Sequence, residues 1–267
     1  MSWLTAALEW QSRAVVARHL RVYLHNWHTA FLPPAIEPVT MLLAFGVGLG
    51  GYVTHLTWQG REIDYLTYVA PGLLAYATFM TAIFQALFAA FIRMRYQRTW
   101  EGQLTTQIEL SHVVWGEVLW AGLLATMYVV IVAAVLALLC IAGLLDITLW
   151  FLPALLPVAF VAGCAFAALG LCFTAVLPTI DHMNLPVFLL VIPMGFMSGT
   201  YFPVDHPVLV AFSLVNPLYH LAQLFRGVLL GGPVLAHLAA LIALAAVMLA
   251  VLVPLDLRLL RRRVLGE

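Results

Sequence analysis

Long apolar blocks separated by short polar breaks run through almost the whole chain. An uninterrupted apolar stretch of about 18 residues or more crosses a hydrocarbon core as helix. This pattern predicts six spans, over about 29–53, 66–92, 117–145, 149–177, 185–200 and 234–253. Pro33, Pro34 and Pro38 at the entry to the first favour a helix start or a kink. Only a turn around Asp146 separates the third span from the fourth, so these two form an antiparallel hairpin. The fifth is short and holds Pro186 and Pro193. Residues 201–233 stay apolar yet are broken by Pro203, Pro207, Pro217 and the pair Gly231–Gly232. Broken backbone at membrane depth has to be buried in protein or line a cavity. A re-entrant or surface-lying helical element is therefore expected there. Ahead of the spans, residues 3–24 predict an amphipathic helix lying on the membrane. Trp3, Leu4, Ala7, Leu8, Ala14 and Val15 share one stripe, with Glu9 and Arg13 facing away. The expected fold class is all-α integral membrane, with 1–28 an interfacial helix, 29–253 the six-span domain and 254–267 a basic tail.

Composition agrees. Of the residues, 64% are apolar and 9% charged, against about 25% charged in soluble domains. The first 25 residues carry Glu9, Arg13, Arg18 and Arg21 and no apolar run, so no cleavable signal peptide is expected. The formal charge is zero, but its distribution sets an orientation. Ten arginines fall in the N-terminal segment, residues 93–116 and the tail, against Arg61 and Arg226 on the other side. By the positive-inside rule both termini and the 93–116 loop are cytoplasmic, in a bacterial inner membrane.

Several chemistries are disfavoured. There is no lysine, so a Walker-type nucleotide site is excluded. The glycines from Gly46 to Gly51 sit inside an apolar span and suit close helix packing instead. Cys140, Cys164 and Cys172 suggest neither a disulfide nor a metal framework, and the nine histidines are dispersed. No nucleophile–base pair stands out, so no catalytic residue is expected. An ion-coupled transporter needs ionisable groups at mid-membrane. The carboxylates Glu37, Glu117 and Asp181 all lie near the cytoplasmic ends of spans, which counts against that class. Tyr68, Phe79, Gln85, Thr126, Tyr128 and Thr174 are the polar or aromatic groups within spans that could line a conduit.

The cytoplasmic loop offers a place to receive energy from outside. Trp100, Leu104 and Ile108 recur at helical spacing and give one apolar face. That face fits either a groove on a soluble partner or the chain's own bundle. Glu37-Pro38 with the following Leu42 to Gly50 run, the segment Arg95 to Glu101, and Ser198 to Pro203 with Asn216 to His220 and Arg226-Gly227 carry a resemblance. Together they resemble the ABC type-2 permease family, most closely its lipo-oligosaccharide, or nodulation-factor, exporter permeases. Gln107 departs from the family's frequent proline and leaves the end of the coupling helix open.

The resemblance implies a half-transporter that works as a homodimer with a separate ATPase subunit, which would bind ATP and magnesium. This chain would bind no cofactor, metal or nucleic acid. It implies ATPase coupling by Arg98, Thr99, Trp100, Glu101 and Leu104, with Arg98, Trp100 and Glu101 in contact and Trp100 the main anchor. It implies an outer gate signature of Ser198, Gly199, Tyr201, Phe202, Pro203, Asn216, Pro217 and Arg226. The cargo would be an amphipathic glycolipid moved outward. A drug or small hydrophobic compound is the alternative cargo, and an ion-coupled secondary transporter the alternative class.

Overall fold

The structure is a computed structural model that describes residues 3–28, 36, 39–44, 48, 52–53 and 56–266. The expected first span, with Pro33, Pro34, Glu37 and Pro38, lies largely outside the described residues. So does most of the Gly46–Gly51 run; at Gly48, which is described, a side chain would meet nothing within 4 Å.

After a 3-10 turn at Thr5–Ala7, helix α1 covers Trp10–His25. A small antiparallel hairpin follows, β1 Leu56–Trp58 and β2 Arg61–Ile63. Gln59 and Gly60 turn it with φ of 52° and 76°, the mirror-image turn that matches strand twist. It occupies the polar break ahead of the span expected from about residue 66.

Three long helices form the body: α2 over Tyr65–Arg95, α4 over Leu110–Ile141 and α5 over Leu149–Val176. Between the first two lies the short α3, Thr99–Leu104. The chain continues through α6 Asp181–Phe196, then α7 Pro207–Val215 and α8 Pro217–Leu230, and ends in α9 Leu235–Leu265.

Among the described residues, helices α2, α4, α5 and α9 are each long and apolar enough to cross a membrane, and the α7–α8 pair makes five if counted as one broken span. Helix α6, the expected fifth span, is apolar but shorter than the roughly 18 residues a straight crossing needs. It changes to π turns at Val187–Val191, between Pro186 and Pro193. Proline removes a backbone donor at each end of this stretch, so a regular hydrogen-bond ladder cannot run through it.

The body packs α4 on α5, α5 on α9, and α2 across both α4 and α5, with α8 resting on α2. Small residues bring α4 and α5 together. A methyl group at Gly122 would stand 2.6 Å from Cys164 Sγ and 2.9 Å from the Phe160 carbonyl oxygen. This is the close helix contact expected of the earlier glycine run, found on a different pair of helices.

The chain's last stretch corrects the reading of 254–267 as a tail. Pro254 lies inside α9 without ending it, because Val253, Asp256, Leu257 and Leu260 carry a buried stripe onward at helical spacing. Arg263 then donates to the Thr174 carbonyl at 2.7 Å and lies over the Phe91 ring.

Candidate functional site

At the arginine-rich end, four elements converge on one carboxylate. Glu117 of α4 is 2% exposed. It accepts from Arg93 of α2 through Nε at 2.9 Å and through Nη2. The Trp100 indole of α3 donates to it at 3.0 Å, and His19 Nε2 of α1 stands 3.4 Å away. A carboxylate in so little water is sustained only by such pairing. Arg93 has a further acceptor in Gln85. With the amide oxygen turned inward, Gln85 accepts from both Arg93 terminal nitrogens at 3.1 and 3.2 Å and from the Trp120 indole at 2.7 Å.

A second set of bonds holds α1 against α4. The Glu109 backbone N–H donates to His112 Nδ1 at 3.0 Å, which leaves the proton on Nε2 to bond Glu9 at 2.8 Å. Trp115 donates to the Trp3 carbonyl, and the two indoles stack with centroids 6.2 Å apart. The buried stripe of α1 is Ser12, Val15 and His19, while Leu4 and Leu8, expected on the apolar stripe, are exposed. Tyr23 hydrogen-bonds Tyr128 of α4. Burial, then the neighbouring phenol, raises the Tyr23 hydroxyl above its usual range and keeps it a donor.

Helix α3 begins at Arg98, whose φ of 50° is left-handed and rare for a residue with a side chain. That conformation reverses the chain between α2 and α3. The Thr99 hydroxyl secures the turn by donating to the Arg93 carbonyl at 3.1 Å. Trp100, expected to anchor a partner, is 1% exposed and points into the bundle, because Glu117 takes its N–H. Arg98 and Glu101 are exposed, Leu104 is half-buried, and Ile108 lies beyond the helix end.

The gate-signature residues gather at the opposite end. Arg226 of α8 is fully buried. Its Nε donates to the Tyr68 carbonyl at 3.0 Å, and Nη2 donates to the Gly199 and Thr200 carbonyls at 2.6 and 2.8 Å. The guanidinium lies 3.9 Å from the centre of the Tyr68 ring, whose hydroxyl donates to Gly199 as well. Gly72 must be small here: a methyl group would sit 2.7 Å from Arg226 Nη2.

Ser198 and Thr200 share a hydroxyl bond of 2.7 Å beside it. Tyr201 packs inward against Tyr76, while Phe202 is exposed and Pro203 half-buried. Asn216 makes the 93° corner between α7 and α8. The residue before Pro217 is pushed out of helical geometry, and the Asn216 side chain caps α8 at Leu218 N while donating to the Met194 carbonyl.

Sequence reading missed part of this. The sequence places Arg226 in the gate signature without showing its burial and gives no signal for Asp256, which falls in the segment read as tail; both are fully buried. Asp256 lies beside Cys172 of α5, and neither of its carboxylate oxygens meets a donor at hydrogen-bond geometry among the described residues. Asp256 lies toward the arginine-rich end of α9 and Arg226 at the gate end, so neither is a mid-membrane group. The signal for the Glu117 cluster was present as opposite charges, Arg93 and Glu117, flanking adjacent spans.

Of the conduit candidates, Phe79 packs on Phe166, Thr174 donates to the Ala86 carbonyl, Thr126 to the Gly122 carbonyl, and Tyr68 belongs to the Arg226 knot. Gln85 and Tyr128 face a cavity.

Residues 11–230 match the family described as ABC-2 type transporter. A nodulation protein J of Rhizobium leguminosarum bv. viciae is 35% identical over 233 residues, 86% of this chain and 85% of that protein. Nodulation protein J of Sinorhizobium fredii (strain NBRC 101917 / NGR234) is 33% identical over 265 residues, 96% of this chain and 95% of its own. That of Rhizobium meliloti (strain 1021) is 31% identical over 263 residues, with the same coverage.

Proposed function

Because this chain belongs to the ABC-2 type transporter family, as a multi-pass permease component, we propose that it is the membrane half of an ATP-driven exporter of an amphipathic lipo-oligosaccharide. Two copies enclose the pathway. A separate ATPase subunit binds ATP and magnesium and docks on the arginine-rich, cytoplasmic end.

The observation that carries the reading is the arrangement around α3. Its inner face is tied through Trp100 to Glu117, and Glu117 is tied to α2 and approached by α1. Its outer face presents Arg98 and Glu101. A push on that outer face reaches two membrane-crossing helices through short, buried, charge-assisted bonds. The coupling contacts are thus Arg98 and Glu101, with Trp100 a strut that transmits the load. The Arg226 knot and the α7–α8 corner form the outer gate. The names of the relatives support a nodulation-factor type of cargo.

The test is reconstitution. Vesicles holding this permease and its ATPase subunit should move an acylated oligosaccharide only with hydrolysable ATP, and Arg98→Ala with Glu101→Ala should release the ATPase subunit. Transport that persists without the ATPase subunit and collapses with the proton gradient would instead favour ion coupling, with Asp256 as its first suspect.

A further inference from the structure

Between α1, α2 and α4 the arginine-rich end is hollow. One cavity of about 390 Å³ opens beside Arg18, Tyr23, Arg93, Gln97 and Trp120. A second, of about 490 Å³, continues along α2 past Met80, Thr81, Phe84 and Phe88. Gln85, Ala89, Ile92, Leu124 and Tyr128 line both, so the two are one cleft. Each volume lies within the range of about 300–1,000 Å³ common to small-molecule sites.

The cleft changes character along its length. Its mouth carries two guanidinium groups, an amide and phenol and indole rings; its far half is walled by Phe84, Phe88, Met80 and Leu124. Arg93 and Met80 are about 13 residues apart, roughly 20 Å of helix at 1.5 Å per residue. A single leaflet's hydrocarbon is about 15 Å deep, half of a 30 Å core. With the arginines at headgroup level, the apolar end therefore reaches about the midplane. The α2 wall is also irregular: Gln85–Ala89 form a π turn, a device concentrated at functional sites.

We propose that this cleft binds the exported amphiphile in the cytoplasmic leaflet, its saccharide head against Arg18, Gln85, Tyr128 and Arg93 and one acyl chain against Phe84, Phe88 and Leu124. The assignment rests on the exporter reading above. The mouth favours a hydroxyl-rich head over a bulk anionic phospholipid. Arg93 is already neutralised by Glu117, Arg18 alone adds net charge, and the remaining polar partners are amide and phenol groups. The occupant also touches the coupling network directly. Arg93 lines the cleft and holds the carboxylate that holds Trp100. The Tyr23–Tyr128 bond ties α1 to α4 beside the mouth, so entry has to part or skirt it.

The test uses the permease with its ATPase subunit in vesicles and an N-acylated oligosaccharide bearing a diazirine on its chain. Photolabel is expected on peptides covering residues 80–93 and 120–128. Ala89→Trp, which fills the shared wall, should cut labelling at least tenfold, and Thr81→Trp at the apolar end should cut it several-fold, with the ATPase subunit still co-purifying. Unlabelled acylated oligosaccharide should compete, and phosphatidylglycerol or the deacylated saccharide should not. Label elsewhere on the chain, unchanged label in both variants, or displacement by phosphatidylglycerol overturns the cleft while leaving ATP-dependent export standing. No label anywhere on the complex, together with no ATP-dependent uptake of the probe, overturns the cleft and the cargo class at once.

Discussion

Glu117 and Arg226 are opposite solutions to burying charge. Glu117 is neutralised by Arg93, so removing either partner leaves the other charge stranded. Breaking a buried pair in this way costs about 3–5 kcal/mol, whereas replacing both with apolar groups is often nearly neutral. Glu117→Gln should therefore lower the thermal midpoint of the detergent-solubilised protein sharply, and Arg93→Met with Glu117→Leu should recover most of it while export stays lost.

Among the described residues Arg226 has no carboxylate partner and is held by backbone carbonyls. A lysine there is not equivalent, since a single ammonium cannot reproduce the flat fork that spans Tyr68, Gly199 and Thr200. Arg226→Lys should accumulate in membranes but lose at least tenfold in export rate in vesicle assays.

At the scale of elements, helix contact and turn geometry give sharper expectations. Gly122→Val would drive a side chain into Cys164 and the α5 backbone, and overpacking of this kind costs about 1–3 kcal/mol. Its thermal midpoint should fall, whereas Gly48→Val, facing open space, should leave it unchanged.

Arg98→Gly tests the start of α3 in two ways. It removes the cost of a left-handed non-glycine residue, about 1 kcal/mol or more, and so should raise stability. It also deletes a contact proposed above for the ATPase subunit, so ATPase co-purification should weaken in the same variant.

The long elements were legible because length and apolarity suffice to predict α2, α4 and α5, and the Asn216–Pro217 corner was legible because proline constrains its neighbour. What spacing could not convey was direction. The Trp100 stripe reads the same whether it faces a partner or the bundle, and only Glu117, 17 residues on, decides it. Pro254 looked like an end because a helix-breaking residue is visible locally, while the buried stripe that overrides it depends on α5 lying alongside.

For the whole molecule, the decisive quantity is which end faces the cytoplasm. Single cysteines introduced at Glu101 and Asp205, both exposed and at opposite ends, should react with a membrane-impermeant maleimide from opposite sides of sealed vesicles. Labelling of the Glu101 position from outside intact cells would reverse the orientation and remove the ATPase from reach of α3. The fold class and the family were readable across nearly the entire chain. The cleft between α1, α2 and α4 was not, because its walls come from three helices and no contiguous segment encodes it.

The carbonyl cradle around Arg226 also bears on biogenesis. A guanidinium cannot enter lipid on its own at low cost, and its acceptors come from α2 and from the turn after α6. All three acceptors precede α8 in the chain, so the order of synthesis puts every partner of Arg226 in place before the guanidinium itself emerges.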